Sequence, residues 1–142
     1  MVTKITNAKV ITNGKITDND IYFENGKITA VTTESLPFDE VIDAEGKYVS
    51  AGFIDIHTHG AGGADYLDNT PEAFLTAARF SAVHGATAIV PTITSSTKES
   101  MIDAVKVFDK VKDNNPEGAI MLGLHMEGPY FSMNQKGAQD EK

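Results

Sequence analysis

The chain has 142 residues, 12 basic against 20 acidic side chains, and a formal net charge of -8. That acidity argues against a nucleic-acid binder, which needs a basic face to neutralise phosphates. The absence of cysteine excludes disulfide scaffolds, thiolate zinc sites and cysteine nucleophiles, so any metal must be held by His, Asp or Glu. With 41% hydrophobic and 23% charged residues the composition is that of a globular protein. No apolar run reaches the ~18 residues of a membrane span. The start, MVTKITNAKV, lacks the apolar core of a signal peptide, and a cytoplasmic location without a membrane partner is expected.

The first fifty residues predict a small β-rich element of sandwich type, residues 1–50. Lys4–Thr12 is β-branched and stops at Asn13-Gly14. Ile21–Glu24 and Lys27–Val31 flank Asn25-Gly26, whose tolerance of positive φ suits a two-residue hairpin turn. Val41–Asp43 and Lys47–Ser50 follow, joined by a turn at Ala44-Glu45-Gly46.

From Ala51 the pattern changes to alternating strands and helices. Phe53–His57 reads as an apolar strand leading into the glycine-rich loop Gly60-Ala61-Gly62-Gly63. Thr70-Pro71 offers an N-cap and a proline at the first helical position, and Pro71–His84 keeps helical spacing up to Gly85. Ala86–Thr92 is a second strand. Ser96-Thr97-Lys98-Glu99 fits a capping box, followed by the apolar stripe Ile102, Val105, Phe108 and Val111. Ala119–His125 is a third strand. The order β-α-β-α-β, with continuously apolar strands, predicts an α/β fold with a parallel sheet covered on both faces.

Three clusters of chemistry-bearing residues sit where these strands end, the edge at which α/β folds gather their sites. Asp55, His57 and His59 share one face of a strand, and two His two residues apart can chelate a divalent ion. Asp55 reads as a supporting group rather than a ligand. In His125-Met126-Glu127-Gly128-Pro129 the same period turns His125 and Glu127 one way, and spacing alone leaves Glu127 between a ligand and a solvated loop residue. Lys136-Gly137-Ala138-Gln139 could present an amide to a ligand or be an ordinary loop. His84, at a helix end, reads as structural. Thr92, Thr94, Ser95 and Ser96 are candidates to line a pocket, and the acidic and lysine residues from Asp103 to Asp113 read as a solvated helix face.

The segments 51–65 (AGFIDIHTHGAGGAD), His84-Gly-Ala-Thr-Ala, Pro91-Thr-Ile-Thr-Ser, Gly123-Leu-His-Met-Glu-Gly-Pro-Tyr-Phe and Lys136-Gly-Ala-Gln, in that order, resemble the N-acetylglucosamine-6-phosphate deacetylase family of the amidohydrolase superfamily. The resemblance implies a (β/α)8 barrel, of which residues 51–142 would be about the first three βα units. It implies hydrolysis of an acetyl group from an amino-sugar phosphate, in amino-sugar catabolism. Glu127 matches a ligand of the catalytic divalent metal, His57 and His59 match a metal-binding H-x-H pair, and Ala138 and Gln139 match sugar-contacting positions. Asp55 and His125 are then candidates for groups supporting the ligands. The ion is zinc, iron or manganese, one or two per site, and a homodimer is implied for the full enzyme. The family's catalytic Asp and two further His would lie beyond Lys142. A (β/α)8 barrel takes ~250 residues, so the chain is expected to be an N-terminal part without turnover of its own. Other amidohydrolases, dihydroorotase-like or deaminase-like, and a non-catalytic fragment are the alternative readings.

Overall fold

The computed structural model describes residues 1–139, so the last three residues of the expected 51–142 segment lie outside it. The chain divides into two compact units, Met1–Ala51 and Gly52 onward.

The first unit holds seven strands: β1 (Val2–Thr6), β2 (Lys9–Thr12), β3 (Lys15–Thr17), β4 (Asp20–Glu24), β5 (Lys27–Thr32), β6 (Glu40–Asp43) and β7 (Tyr48–Ser50). They form two sheets, ordered β5-β4-β1-β6 and β3-β2-β7. Ala8, Val10 and Ile21 are buried between them, with Ile5, Ala44 and Val49 packed around. The Asn25-Gly26 turn forms as expected: Glu24 pairs with Lys27, and both turn residues have positive φ, 50° and 74°.

The expected strand Lys4–Thr12 is two strands. Asn7 sits at φ 54°, a left-handed conformation that a short polar side chain tolerates, and there the chain passes from one sheet to the other. Its Nδ2 donates to Asp43 Oδ1 at 3.0 Å, at the matching corner between β6 and β7.

Asp20 ties β4 to β1. Its carboxylate accepts from Thr6 Oγ1 at 2.7 Å and pairs with Lys4 Nζ at 2.7 Å. The Lys4 ammonium, and after it the Thr6 hydroxyl, hold the Asp20 carboxyl below the usual carboxylate range. The stabilisation is therefore complete above the ordinary carboxylate value and is lost as pH falls through the lowered one. Asp20→Asn is expected to lower the unfolding temperature at pH 7 by roughly 5 °C. A pH series of thermal melts should show that gap closing in acid as the wild-type carboxylate protonates.

The second unit begins with β8 (Phe53–Thr58), a short hairpin of β9 (Gly60–Ala61) and β10 (Ala64–Asp65), and a 3-10 turn over Tyr66–Asp68. Helix α1 (Pro71–Val83), β11 (Ala86–Ile93), helix α2 (Lys98–Val111), β12 (Ile120–Met121) and β13 (His125–Met126) follow. Strand β11 is central, pairing in parallel with β8 on one side and with β12 and β13 on the other. The expected third strand, Ala119–His125, is thus two short pieces on one partner. Leu122 N–H donates to Ile89 O at 3.0 Å and Glu127 N–H to Ile93 O at 2.8 Å, so both pieces are held on β11 while residues 123–124 lie outside the paired strands.

Thr70 caps α1, accepting from Ala73 N at 3.2 Å, and Gly85 follows its end at φ 96°. Phe74, Ala77 and Ala78 are buried in a core with Ile89, Ile93, Met101 and Ala104. Two expectations for α2 are corrected. Thr97, not Ser96, is the N-cap, accepting from Ser100 N at 3.2 Å. Glu99 then stands in the first turn one position too early to reach back, so the capping box does not form. The buried face is Met101, Ala104, Val107 and Val111, while Ile102 and Val105 are 43% and 42% exposed. Small Ala104 lies in the face that packs into the core, and the neighbouring apolar row faces outward. Lys106–Asp103 and Lys112–Asp109 pairs confirm the solvated polar face.

Coverage of the sheet also differs from expectation. Ile89 and Ile93 of β11 are fully buried, but Phe53, Ile54 and Ile56 of β8 are 71%, 62% and 69% exposed. Strand β8 has a single pairing partner among the described residues, and nothing there covers its flank.

Candidate metal centre

Strands β8, β11 and β13 end at the same edge of the sheet, and their ends carry the polar residues. Strand β8 delivers His57 and, just past its end, His59. Strand β11 delivers Thr92, and β13 delivers His125 with Glu127 directly after it. His57 Nε2 and His59 Nε2 lie 3.5 and 3.4 Å from the same oxygen, Glu127 Oε2. One donor atom from each of the three residues falls within 4.8 Å of the others.

The hydrogen bonds around the group set its chemistry. His59 Nδ1 is 3.2 Å from the backbone carbonyl of Thr92. A carbonyl can only accept, so Nδ1 carries a proton, and in the neutral ring the lone pair is on Nε2, the nitrogen beside Glu127. Glu127 Oε2 is buried without a hydrogen-bond partner. A buried carboxylate oxygen with no donor is costly unless a cation satisfies it. Two imidazoles and one carboxylate, with no thiolate, form a donor set suited to a divalent metal ion. The residues present fit such an ion.

The supporting candidates divide. His125 packs its ring edge-on against His57, centroids 5.0 Å apart, and its Nδ1 lies 3.3 Å from Thr92 Oγ1. Asp55 stands outside the three-residue group; its Oδ1 accepts from the His57 backbone N–H at 3.1 Å. Gln139 Oε1 accepts from Ser95 N at 3.4 Å, and Lys136 Nζ donates to Gln139 O at 2.9 Å, so the 136–139 turn is tied to the loop leaving β11. Ala138 is exposed on that turn. His84 lies apart from the centre, capping α1 with Nδ1 2.8 Å from Phe80 O and its ring stacked on Phe80.

Glycine is required beside two of these groups. At Gly60, φ 153°, a Cβ would collide with the backbone carbonyl of Ala64 across the β9–β10 hairpin. At Gly128, φ 110°, it would press on Phe131 and on Ser95 Oγ 2.9 Å away.

The sequence pattern of the Amidohydrolase family matches residues 40–94, a stretch that contains His57, His59 and Thr92 and stops short of Glu127. N-acetylglucosamine-6-phosphate deacetylase from Danio rerio is 31% identical over 150 residues, covering 99% of this chain and 36% of its own length. The Homo sapiens protein of the same name is 33% identical with the same coverage, 99% and 36%. Among solved structures, N-acetylglucosamine-6-phosphate deacetylase from Pasteurella multocida superposes with a TM-score of 0.82 at 30% identity, over 99% of this chain and 38% of that one. Over 99% of its length this chain is similar to N-acetylglucosamine-6-phosphate deacetylases. It spans about 36% of the length of the curated relatives it matches.

Beside the centre, sequence reasoning missed Tyr66 and singled out Thr92 only as a residue that could line a pocket. Thr92 was legible only as a hydroxyl near a strand end, yet it meets two of the three imidazoles. Tyr66 carried no signal beyond being aromatic after a glycine loop. It is fully buried against Phe74, ring centroids 4.8 Å apart. Burial, and then the nearby Asp55 and Asp65 carboxylates, push its phenol above the ordinary value, so it stays protonated.

Proposed function

We propose that this chain is the metal-holding part of an N-acetylglucosamine-6-phosphate deacetylase, which hydrolyses the N-acetyl group to give glucosamine 6-phosphate and acetate. The observation that carries the reading is the convergence of His57, His59 and Glu127 at one strand edge, in a chain related to named deacetylases over 99% of its length. The parallel β-α-β-α-β run is read as the opening of a (β/α)8 barrel, whose sites lie at that edge.

A divalent ion held there (zinc, iron or manganese suit these donors) would acidify water and polarise the acetyl carbonyl. The chain's own residues divide the remaining work. His57 and His59 supply neutral nitrogen donors and Glu127 the negative charge. Asp55 fixes the backbone at His57 through its 3.1 Å hydrogen bond. Ala138 and Gln139 meet the sugar from the turn tied to Ser95. Neither carboxylate near the centre is assigned to proton transfer, since Glu127 is a ligand and Asp55 is engaged with the backbone. The chain alone is therefore expected to bind metal without turning over substrate.

The test is a chimera in which this chain replaces the matched 38% of the Pasteurella multocida deacetylase. Release of acetate from N-acetylglucosamine 6-phosphate supports the reading, with a loss of about 100-fold or more on Glu127→Gln. A folded, metal-loaded chimera that leaves this substrate intact would overturn it.

A further inference from the structure

We propose that Thr92 is the positioning residue of the centre, holding two imidazoles in one tautomer through its backbone and its side chain at once. The inference rests on the metal reading above and concerns a residue with no role in it so far.

Thr92 is the penultimate residue of β11, 1% exposed, and lies opposite His125 in the parallel register. Its carbonyl accepts from His59 Nδ1 at 3.2 Å. Its hydroxyl donates to Val90 O at 3.3 Å, which spends its single proton. Toward His125 Nδ1, 3.3 Å away, the hydroxyl oxygen can then only accept. Both rings are thereby held as Nδ1–H, each with its Nε2 lone pair free. A free neutral imidazole has no such constraint, so this selection is made by the protein.

The consequence reaches every ligand. His59 is oriented directly. His57 is braced by the ring of His125, which packs edge-on against it at 5.0 Å and is itself held by the Thr92 hydroxyl. Glu127 is placed by its N–H donating to the carbonyl of Ile93, the residue after Thr92. The end of β11 thus supplies no ligand and locates all three.

The experiment is long-range proton–nitrogen NMR on the 15N-histidine-labelled, metal-free 142-residue chain at a pH where the rings are neutral, with Co2+ titrations of the same samples. The expected result is Nδ1–H for both His59 and His125 in the wild type. Thr92→Val should release His125 from that tautomer, leave His59 unchanged because the carbonyl remains, and weaken Co2+ binding about tenfold. Thr92→Ser, which keeps the hydroxyl, should restore both readings. Nε2–H on either ring in the wild type overturns the proposal, as does a Thr92→Val protein with unchanged tautomers and affinity. Should that variant not fold, the wild-type tautomers decide. Rings in the expected tautomers on a protein that takes up no Co2+ would support the role of Thr92 and overturn the metal reading.

Discussion

Glu127→Gln is expected to abolish stabilisation by divalent metal while leaving the metal-free protein at least as stable as the wild type. The two halves of that result have one cause. Glu127 supplies the only carboxylate oxygen in the three-residue group, and its Oε2 is buried without a hydrogen-bond partner. With a cation present that oxygen is satisfied; without one it is a buried oxygen with no hydrogen-bond partner, so replacing the carboxylate sacrifices no hydrogen bond at Oε2. Zinc at a hundred times its dissociation constant should stabilise the wild type by about 2.7 kcal/mol, roughly 8 °C for a chain of this size. The variant should show no shift at the same concentration, with affinity down about 100-fold or more, beyond the loss typical of a supporting hydrogen-bond partner. Thermal melts of both proteins with zinc and with chelator give all four midpoints. A variant that zinc stabilises as well as it does the wild type would show that Glu127 is not a ligand.

Phe74→Ala is expected to cost about 3–5 kcal/mol and to unfold the second unit at or near ambient temperature. Phe74 is fully buried, with the Tyr66 ring 4.8 Å away and that of Phe108 at 6.4 Å. It lies where α1 meets the 3-10 turn and α2, so truncation leaves a cavity whose walls belong to three different elements and cannot collapse together. Both α-helices among the described residues are in this unit, so far-ultraviolet ellipticity at 222 nm reports its loss. A midpoint shift equivalent to less than about 1 kcal/mol would mean that the site repacks and that the core is not organised around this ring.

Much of this molecule is written in local chemistry, and that part was legible. Asn25-Gly26 fixes a hairpin because both residues accept positive φ, and Thr70-Pro71 starts a helix because one caps and the other needs no donor. The H-x-H pair and the His125–Glu127 segment could be placed at strand ends from apolar patterning alone. What failed depended on partners that the local sequence does not specify. The apolar stripe of α2 holds at Val111 and Phe108, which meet the core, and fails at Ile102 and Val105, which are larger and more hydrophobic than the buried Ala104. The core nevertheless selects Ala104, where close packing needs a small side chain. Strand β8 reads as covered on both faces and is exposed, since periodicity reports what a residue suits and not what lies over it.

The site shows the same division. Residue type and spacing singled out His57, His59 and Glu127, though spacing alone left Glu127 open between ligand and loop. Only the parallel register, with Thr92 opposite His125, brings β13 beside β8 across β11. Thr92 was legible only as a pocket-lining hydroxyl, because its contact with His59 is made by its backbone carbonyl, which every residue possesses.

The measurement that bears most directly on the centre is equilibrium dialysis of the purified 142-residue chain against zinc, with bound metal counted by mass spectrometry. Saturable uptake approaching one ion per chain at micromolar zinc, lost on His57→Ala, His59→Ala or Glu127→Gln, is the expected result. Folded wild-type protein that binds no zinc above the level of these variants would contradict the account.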